Sequence, residues 1–253
     1  MTLETLRGLY LDLMRDCLTG MIYDDPPLEW KGQGVRPFDR NARELGMDWP
    51  ARAHSMIGQK RMLQLQRAAE SVLEAGIPGD FIETGVWRGG ACILLRAVLK
   101  AHGVTDRRVW LADSFEGLPP PDPEHYPADR GDTLYTYPAL AVTLESVREN
   151  FARYGLLDDQ VVFLKGWFRD TLPAAPIDRL AILRLDGDLY ESTIQPLSAL
   201  YDKVSHGGFI IVDDYNIFAN CRAAVTDFRR SRGVNDRIQD IDGSAVFWQR
   251  GVA

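Results

Sequence analysis

Acidic residues cluster where apolar, strand-like runs of this chain end. Leu180 to Leu185 runs into Asp186-Gly187-Asp188, and Phe209 to Val212 runs into Asp213-Asp214. Asp-Gly is a common turn pair, so a plain turn is one reading of the first stretch. Carboxylates at the end of a buried strand are costly, however, and open α/β sheets bind ligands at that edge. Acids brought together there would raise one another's pKa, and a divalent cation removes the conflict. All-oxygen ligation with no His or Cys in these motifs suits Mg²⁺ or Mn²⁺ rather than zinc.

Two earlier strand ends carry complementary chemistry. The run Asp80 to Thr84 leads into Gly85-Val86-Trp87-Arg88-Gly89-Gly90, and Val109 to Ala112 leads into Asp113-Ser114. The glycines allow a ligand to approach the backbone. The spacing is not G-x-G-x-x-G, because Trp87 stands where the second glycine would be. That disfavours a dinucleotide pyrophosphate and hence a dehydrogenase. Glu83 just before the glycine suits an ammonium group, as in the amino-acid head of S-adenosylmethionine. An acid at the end of the second strand typically bonds ribose hydroxyls, which fits Asp113. Together these signals favour an adenosyl ligand.

Strands alternating with helices are expected to position these residues. Beyond about residue 79 the pattern predicts parallel βαβ units. Helices are expected over 90–102, 143–154, 191–202 and 219–232. Strands are expected at 80–84, 109–112, 161–164, 180–185 and 209–212, with a C-terminal pair near 237–241 and 244–249. The last strand should run antiparallel, because only a short turn precedes it. The fold class is α/β, a doubly wound, mostly parallel sheet. Residues 1–78 form a helical extension and 79–253 the main domain. In the extension, Leu3, Leu6, Leu9, Tyr10, Leu13 and Met14 mark one face of a helix over 3–18, and further helices are expected over 38–47 and 54–75. Two Pro-rich stretches, 24–37 and 118–138, read as loops. A loop as long as the second is usually functional or disordered.

Composition narrows the setting. The 253 residues are 45% hydrophobic with a net charge of −7, which gives no support to nucleic-acid or anionic-membrane binding. No run of about 18 apolar residues predicts a membrane span, and the acidic N-terminus lacks the basic start of a signal peptide. Cys17, Cys92 and Cys221 are odd in number and far apart, which argues against disulfides and for a reduced, cytoplasmic protein.

The motifs E-T-G-V-W-R-G-G, A-D-S-F-E-G, G-W-F-R-D-T-L-P, L-R-L-D-G-D-L-Y and I-V-D-D-Y occur in that order. With H-S-M-I-G near Met56 and R-Y-G-L-L-D-D-Q at 153–160, they resemble the macrocin, mycinamicin and novobiocin sugar O-methyltransferases over most of the chain. The resemblance implies a class I, S-adenosylmethionine- and metal-dependent enzyme of antibiotic tailoring. It implies that Glu83, Thr84 and Gly85 hold the methionine part of the cofactor, and that Asp113 and Ser114 meet the ribose. Gly166, Trp167 and Phe168 would lie near the adenine, with Ser55 and Met56 closing over the cofactor. Asp186, Asp213 and Asp214 would bind Mg²⁺, and Asp188 would be the general base. Related catechol-type enzymes place a lysine three residues after the first metal aspartate; Leu189 stands there here, so the base must differ. Which of Asp186 and Asp188 takes the ion stays open at this point. The resemblance also implies a homo-oligomer acting on a glycosylated small molecule.

Two other classes compete. D-G-D is reminiscent of a haloacid-dehalogenase phosphatase, but Tyr190 occupies a position that family gives to Thr or Val. A module that senses S-adenosylmethionine without catalysis would have no need of Asp186, Asp188, Asp213 and Asp214. The acceptor's identity would be set by the loops, where His125, Tyr126, Tyr135 and Tyr137 are candidate glycoside contacts.

Overall fold

The computed structural model of the chain describes residues 2–29, 34 and 36–252. Seven strands form one sheet: β1 (Asp80–Thr84), β2 (Val109–Asp113), β3 (Val161–Lys165), β4 (Leu180–Leu185), β5 (Val204–Val212), β6 (Gln239–Asp240) and β7 (Val246–Gln249). Their order is β3-β2-β1-β4-β5-β7-β6. The first five pair in parallel, and β7 runs antiparallel to both β5 and β6. Apolar residues fill both faces of β1, β4 and β5, as a sheet covered on both sides requires. Strand order reverses between β1 and β4, so a crevice opens beyond their C-terminal ends.

Helices α1 (Leu3–Thr19), α2 (Arg40–Glu44) and α3 (Gly58–Glu74) precede β1. The others are α4 (Gly90–Ala101), α5 (Leu144–Arg153), α6 (Phe168–Thr171), α7 (Tyr190–Leu200) and α8 (Ala219–Arg232). The extension has no separate interior. Leu11, Met14 and Leu18 of α1 and Met62, Leu65 and Ala69 of α3 belong to the same apolar cluster as Ile93 and Leu94 of α4 and Phe81 of β1.

Three expectations need correction. The buried face of α1 is Leu11, Met14 and Leu18, whereas Leu3, Leu6, Leu9 and Leu13 are 46–63% exposed. The apolar arc of this helix is wide, running from Leu9 and Leu13 round to Leu11 and Leu18, so its period alone cannot say which part of the arc meets α4. The helix expected over 54–75 begins only at Gly58, whose φ is +76°, a left-handed conformation that suits glycine. The backbone N–H groups of His54 and Ser55 instead donate to the Leu18 carbonyl, which keeps this segment extended across the crevice. The helix expected over 38–47 is only the five residues of α2, capped by the Asp39 carboxylate.

A buried ion pair fixes the loop that follows α2. The fully buried Arg43 guanidinium makes two 2.8 Å bonds to Asp48 and also donates to the carbonyls of Thr19 and Asp25. Part of the loop expected over 24–37 is held at Leu28, whose N–H donates to the Trp49 carbonyl. Residues 30–33 and 35 of that loop lie outside the described residues.

Candidate active site

One cleft lies across the C-terminal ends of β1, β2, β4 and β5. Its space, open solvent included, is about 1380 Å³. The lining includes Ser55, Met56, Glu83, Gly85, Asp113, Ser114, Gly166, Trp167, Phe168, Asp186, Asp188, Asp213 and Asp214. Of the cofactor, metal and catalytic residues expected from the sequence, Thr84 alone does not line it. Its side chain is fully buried and its hydroxyl turns back to the Arg184 carbonyl at 3.4 Å.

The turn after β1 is built by close backbone approach. Gly85 has φ +87°, and a Cβ there would collide with the Asp186 carbonyl oxygen. This glycine lets the β1 and β4 ends lie against each other, a requirement imposed by the sheet as well as by any ligand. Gly90 plays the matching role toward the extension. Its N–H donates to the His54 carbonyl at 3.0 Å, and a Cβ would strike that same group. Arg88 adds a bond of 2.8 Å to the Ala53 carbonyl. The β1–α4 turn therefore carries Ser55 and Met56 to the cleft wall.

On the β2 side, Asp113 is occupied by its own turn. Its carboxylate accepts from the N–H groups of Val86 and Phe115, each at 2.7 Å. Burial pushes its pKa up, against those hydrogen bonds. Asp113 thus joins the β1 and β2 turns as well as facing the cleft.

The other side of the cleft is an electrostatic network absent from the sequence expectations. Arg184, the single charge within β4, is 1% exposed. Its guanidinium contacts Glu83, Asp186 and Asp213, the Asp186 contact at 2.7 Å. Arg61 of α3 donates to Asp213 and, at 2.7 Å, to Asp242 near the C-terminus. A signal for Arg184 was present, since an arginine in an otherwise apolar strand must be paired. For Arg61 there was none, because its partners lie far along the chain.

Ligand oxygens of Asp186, Asp213 and Asp214 all lie within 4.8 Å of one another. Asp188 is outside that group. It sits at φ +63°, strained for a residue other than glycine, and its N–H donates to the Asp214 carboxylate at 3.2 Å. Burial, then Asp186 and Asp213, pushes the Asp188 carboxyl up to about 8. Burial and the neighbouring acids raise Asp214 well above the usual range, and Asp186 is raised as well. Burial also lifts Glu83, to about 7, despite Arg184 beside it. Four carboxylates, those of Glu83, Asp186, Asp213 and Asp242, thus share two arginines, and Asp188 and Asp214 add two more acids to the same group. This surplus of buried negative charge, on oxygen donors alone, fits a hard divalent cation.

The family model for macrocin-O-methyltransferase (TylF) matches residues 7–250. The chain belongs to that family. It is an S-adenosylmethionine-dependent O-methyltransferase. Among its relatives is the 8-demethyl-8-(2,3-dimethoxy-alpha-L-rhamnosyl)-tetracenomycin-C 4'-O-methyltransferase of Streptomyces olivaceus, 55% identical over 99% of this chain and 95% of that one. Another is the demethyldecarbamoylnovobiocin O-methyltransferase of Streptomyces niveus, 51% identical over 96% of this chain and 94% of that one. The solved structure of the O-methyltransferase NovP superposes with a TM-score of 0.92 at 50% identity, covering 96% of this chain and 99% of that one. Family membership removes the phosphatase and the non-catalytic sensor as readings.

The long stretch at 118–138 forms part of the wall through Leu118, Pro119 and Leu134. His125, Tyr126, Tyr135 and Tyr137, the expected glycoside contacts, do not line the cleft. Glu191, Ser192 and Gln195 of α7 line it instead, with Arg169 opposite Glu191. No helix among the described residues is long and apolar enough to cross a membrane.

Proposed function

We propose that this enzyme moves a methyl group from S-adenosylmethionine to a sugar hydroxyl of a glycosylated natural product, with Mg²⁺ at Asp186, Asp213 and Asp214, as a step of antibiotic tailoring. The observation that carries this reading is the grouping of those three acids at the ends of β4 and β5, in the cleft that also holds Glu83 and Asp113. The named activities of its relatives, which include a rhamnosyl tetracenomycin C and a novobiocin precursor, support the acceptor class.

Glu83 and Gly85 bind the methionine end of the cofactor, Asp113 and Ser114 the ribose, and Gly166, Trp167 and Phe168 the adenine, with Ser55 and Met56 over it. Bound at its three aspartates, a divalent cation supplies the positive charge that lowers the pKa of an adjacent sugar hydroxyl and favours ionised Asp188. Asp188 accepts the hydroxyl proton on its carboxylate. The sugar oxygen forms a bond to the methyl carbon as the carbon–sulfur bond breaks, leaving S-adenosylhomocysteine. The fixed positions of the two substrates in one cleft supply much of the acceleration. The helical extension, residues 1–78, serves as a lid as well as core, with Ser55 and Met56 on its inner side.

The protein acts in the cytoplasm, in keeping with three free thiols. It works as a homo-oligomer, in keeping with the exposed leucines along α1, which a second copy would cover. Methyl transfer from labelled S-adenosylmethionine over a panel of glycosylated natural products tests the activity. Transfer to aglycones in preference to glycosides would overturn it.

A further inference from the structure

The middle of the 118–138 stretch is held by one buried side chain that the catalytic reading does not use. Asp129 is 1% exposed, while Pro127, Ala128 and Arg130 around it are exposed. Its carboxylate accepts from the N–H of Tyr190 at 2.7 Å and from that of Glu191 at 2.9 Å. Asn220, the second residue of α8, donates to the same carboxylate at 2.8 Å. Tyr190 and Glu191 open α7, and the residue that caps that helix, Leu189, offers no side-chain acceptor. The first turn of α7 thus has two of its free N–H groups satisfied from a loop about 60 residues earlier in the chain.

Two things meet at this contact. On one side is the stretch that supplies Leu118, Pro119 and Leu134 to the cleft wall. On the other is the turn that starts two residues after Asp188, whose own backbone is strained at φ +63°. A strained residue holds its conformation only when its surroundings over-determine it. Asp214 fixes the Asp188 N–H, and Asp129 fixes the turn that follows. Tyr126 strengthens the seam, its hydroxyl accepting from Gln195 of α7 at 3.2 Å.

We propose that Asp129 is a positioning residue for methyl transfer, latching the acceptor-side wall onto the first turn of α7 and so holding Asp188 against the acceptor. The inference rests on the reading of Asp188 as the base. Loss of the latch frees the wall and lets Asp188 relax, so it acts on acceptor turnover and leaves the cofactor half of the cleft alone.

The test uses Asp129→Ala, Asp129→Asn, Asn220→Ala and the double variant Asp129→Ala/Asn220→Ala. Three readouts are compared with wild type: kcat and KM for the rhamnosyl tetracenomycin C glycoside, the cofactor Kd by calorimetry, and the rate of tryptic cleavage after Arg130. For Asp129→Ala, kcat/KM should fall roughly 10- to 100-fold, since small misplacements of reacting groups cost that much. The cofactor Kd should stay within about twofold, and cleavage after Arg130 should accelerate. Asp129→Asn, which keeps one acceptor oxygen, should recover part of the loss. Asn220→Ala should be mild alone and add nothing to Asp129→Ala, because its partner is already gone. Wild-type kcat/KM and unchanged cleavage in Asp129→Ala would overturn the proposal, and so would a loss of cofactor binding that matches the loss of activity. If the wild-type enzyme transfers no methyl to the glycoside, the acceptor reading fails, and the cleavage rate at Arg130 then decides the latch alone.

Discussion

The backbone N–H of Asp188 donates to the Asp214 carboxylate at 3.2 Å. One aspartate at the end of β5 thereby orients the aspartate that follows β4. The link sets the two acids apart in space. Asp214 is grouped with Asp186 and Asp213 on one side, and Asp188 is left with a free carboxylate toward the cleft.

Asp188→Asn should keep the shape of the site and remove its proton acceptor. Loss of a general base costs about 10²–10⁴-fold in turnover. We expect a fall of that size in kcat with the cofactor Kd unchanged, measured by steady-state methyl transfer and by calorimetry. Wild-type kcat in this variant would assign the base elsewhere.

Arg184→Met should be severely destabilising. The substitution leaves Glu83, Asp186 and Asp213 buried without their shared cation. Breaking a buried ion pair from one side costs about 3–5 kcal/mol. Urea unfolding in cation-free buffer should show a loss of that order, and a loss below about 1 kcal/mol would mean that the network contributes little beyond an exposed pair.

His54 should impose an acid-side loss of stability. Burial, then Arg88 and Arg153, holds its pKa down at about 4, against 6.5 when unfolded. Between those values the unfolded chain binds the extra proton, so stability from this residue is full above about 6.5 and falls as the pH drops toward about 4. The raised carboxyls of Glu83 and Asp188 act in the opposite direction, so the difference between proteins is the informative quantity. Unfolding of wild type and His54→Gln at pH 7.5 and pH 5 should show a smaller acid loss in the variant. Equal losses would contradict the assignment.

The strand ends were legible because each acid lies directly after a short apolar run, a local pattern. The mostly parallel sheet followed from alternating strands and helices, and the antiparallel β7 from its short connection; the order of the strands within the sheet was not read from the sequence. The parts that could not be read are those settled over distance. Which stripe of α1 is buried depends on α4, not on the spacing of its leucines. The segment carrying Ser55 and Met56 looked helical by composition, but hydrogen bonds from His54 and Ser55 to the Leu18 carbonyl and the left-handed Gly58 hold it extended. Asp129 sits in a proline-rich stretch without any period, and its partners, Tyr190 and Asn220, lie 61 and 91 residues away. The family motifs supplied site residues that local physics alone could only group. They also included Thr84, whose side chain points into the sheet.

The exposed stripe of α1 should govern self-association. Replacing Leu6 and Leu13, which sit on the same exposed stripe, with Glu should lower the mass measured by light scattering while circular dichroism stays unchanged. An unaltered mass would place the contact between copies elsewhere.

The central claim is that Asp186, Asp213 and Asp214 hold a divalent cation needed for methyl transfer. Its most direct test is the rate of transfer to a rhamnosylated acceptor in EDTA, followed by addition of excess Mg²⁺. An ion held there would stabilise the reacting oxygen, so on its removal activity should fall by at least about 100-fold and return with Mg²⁺. Undiminished transfer in EDTA would contradict the account.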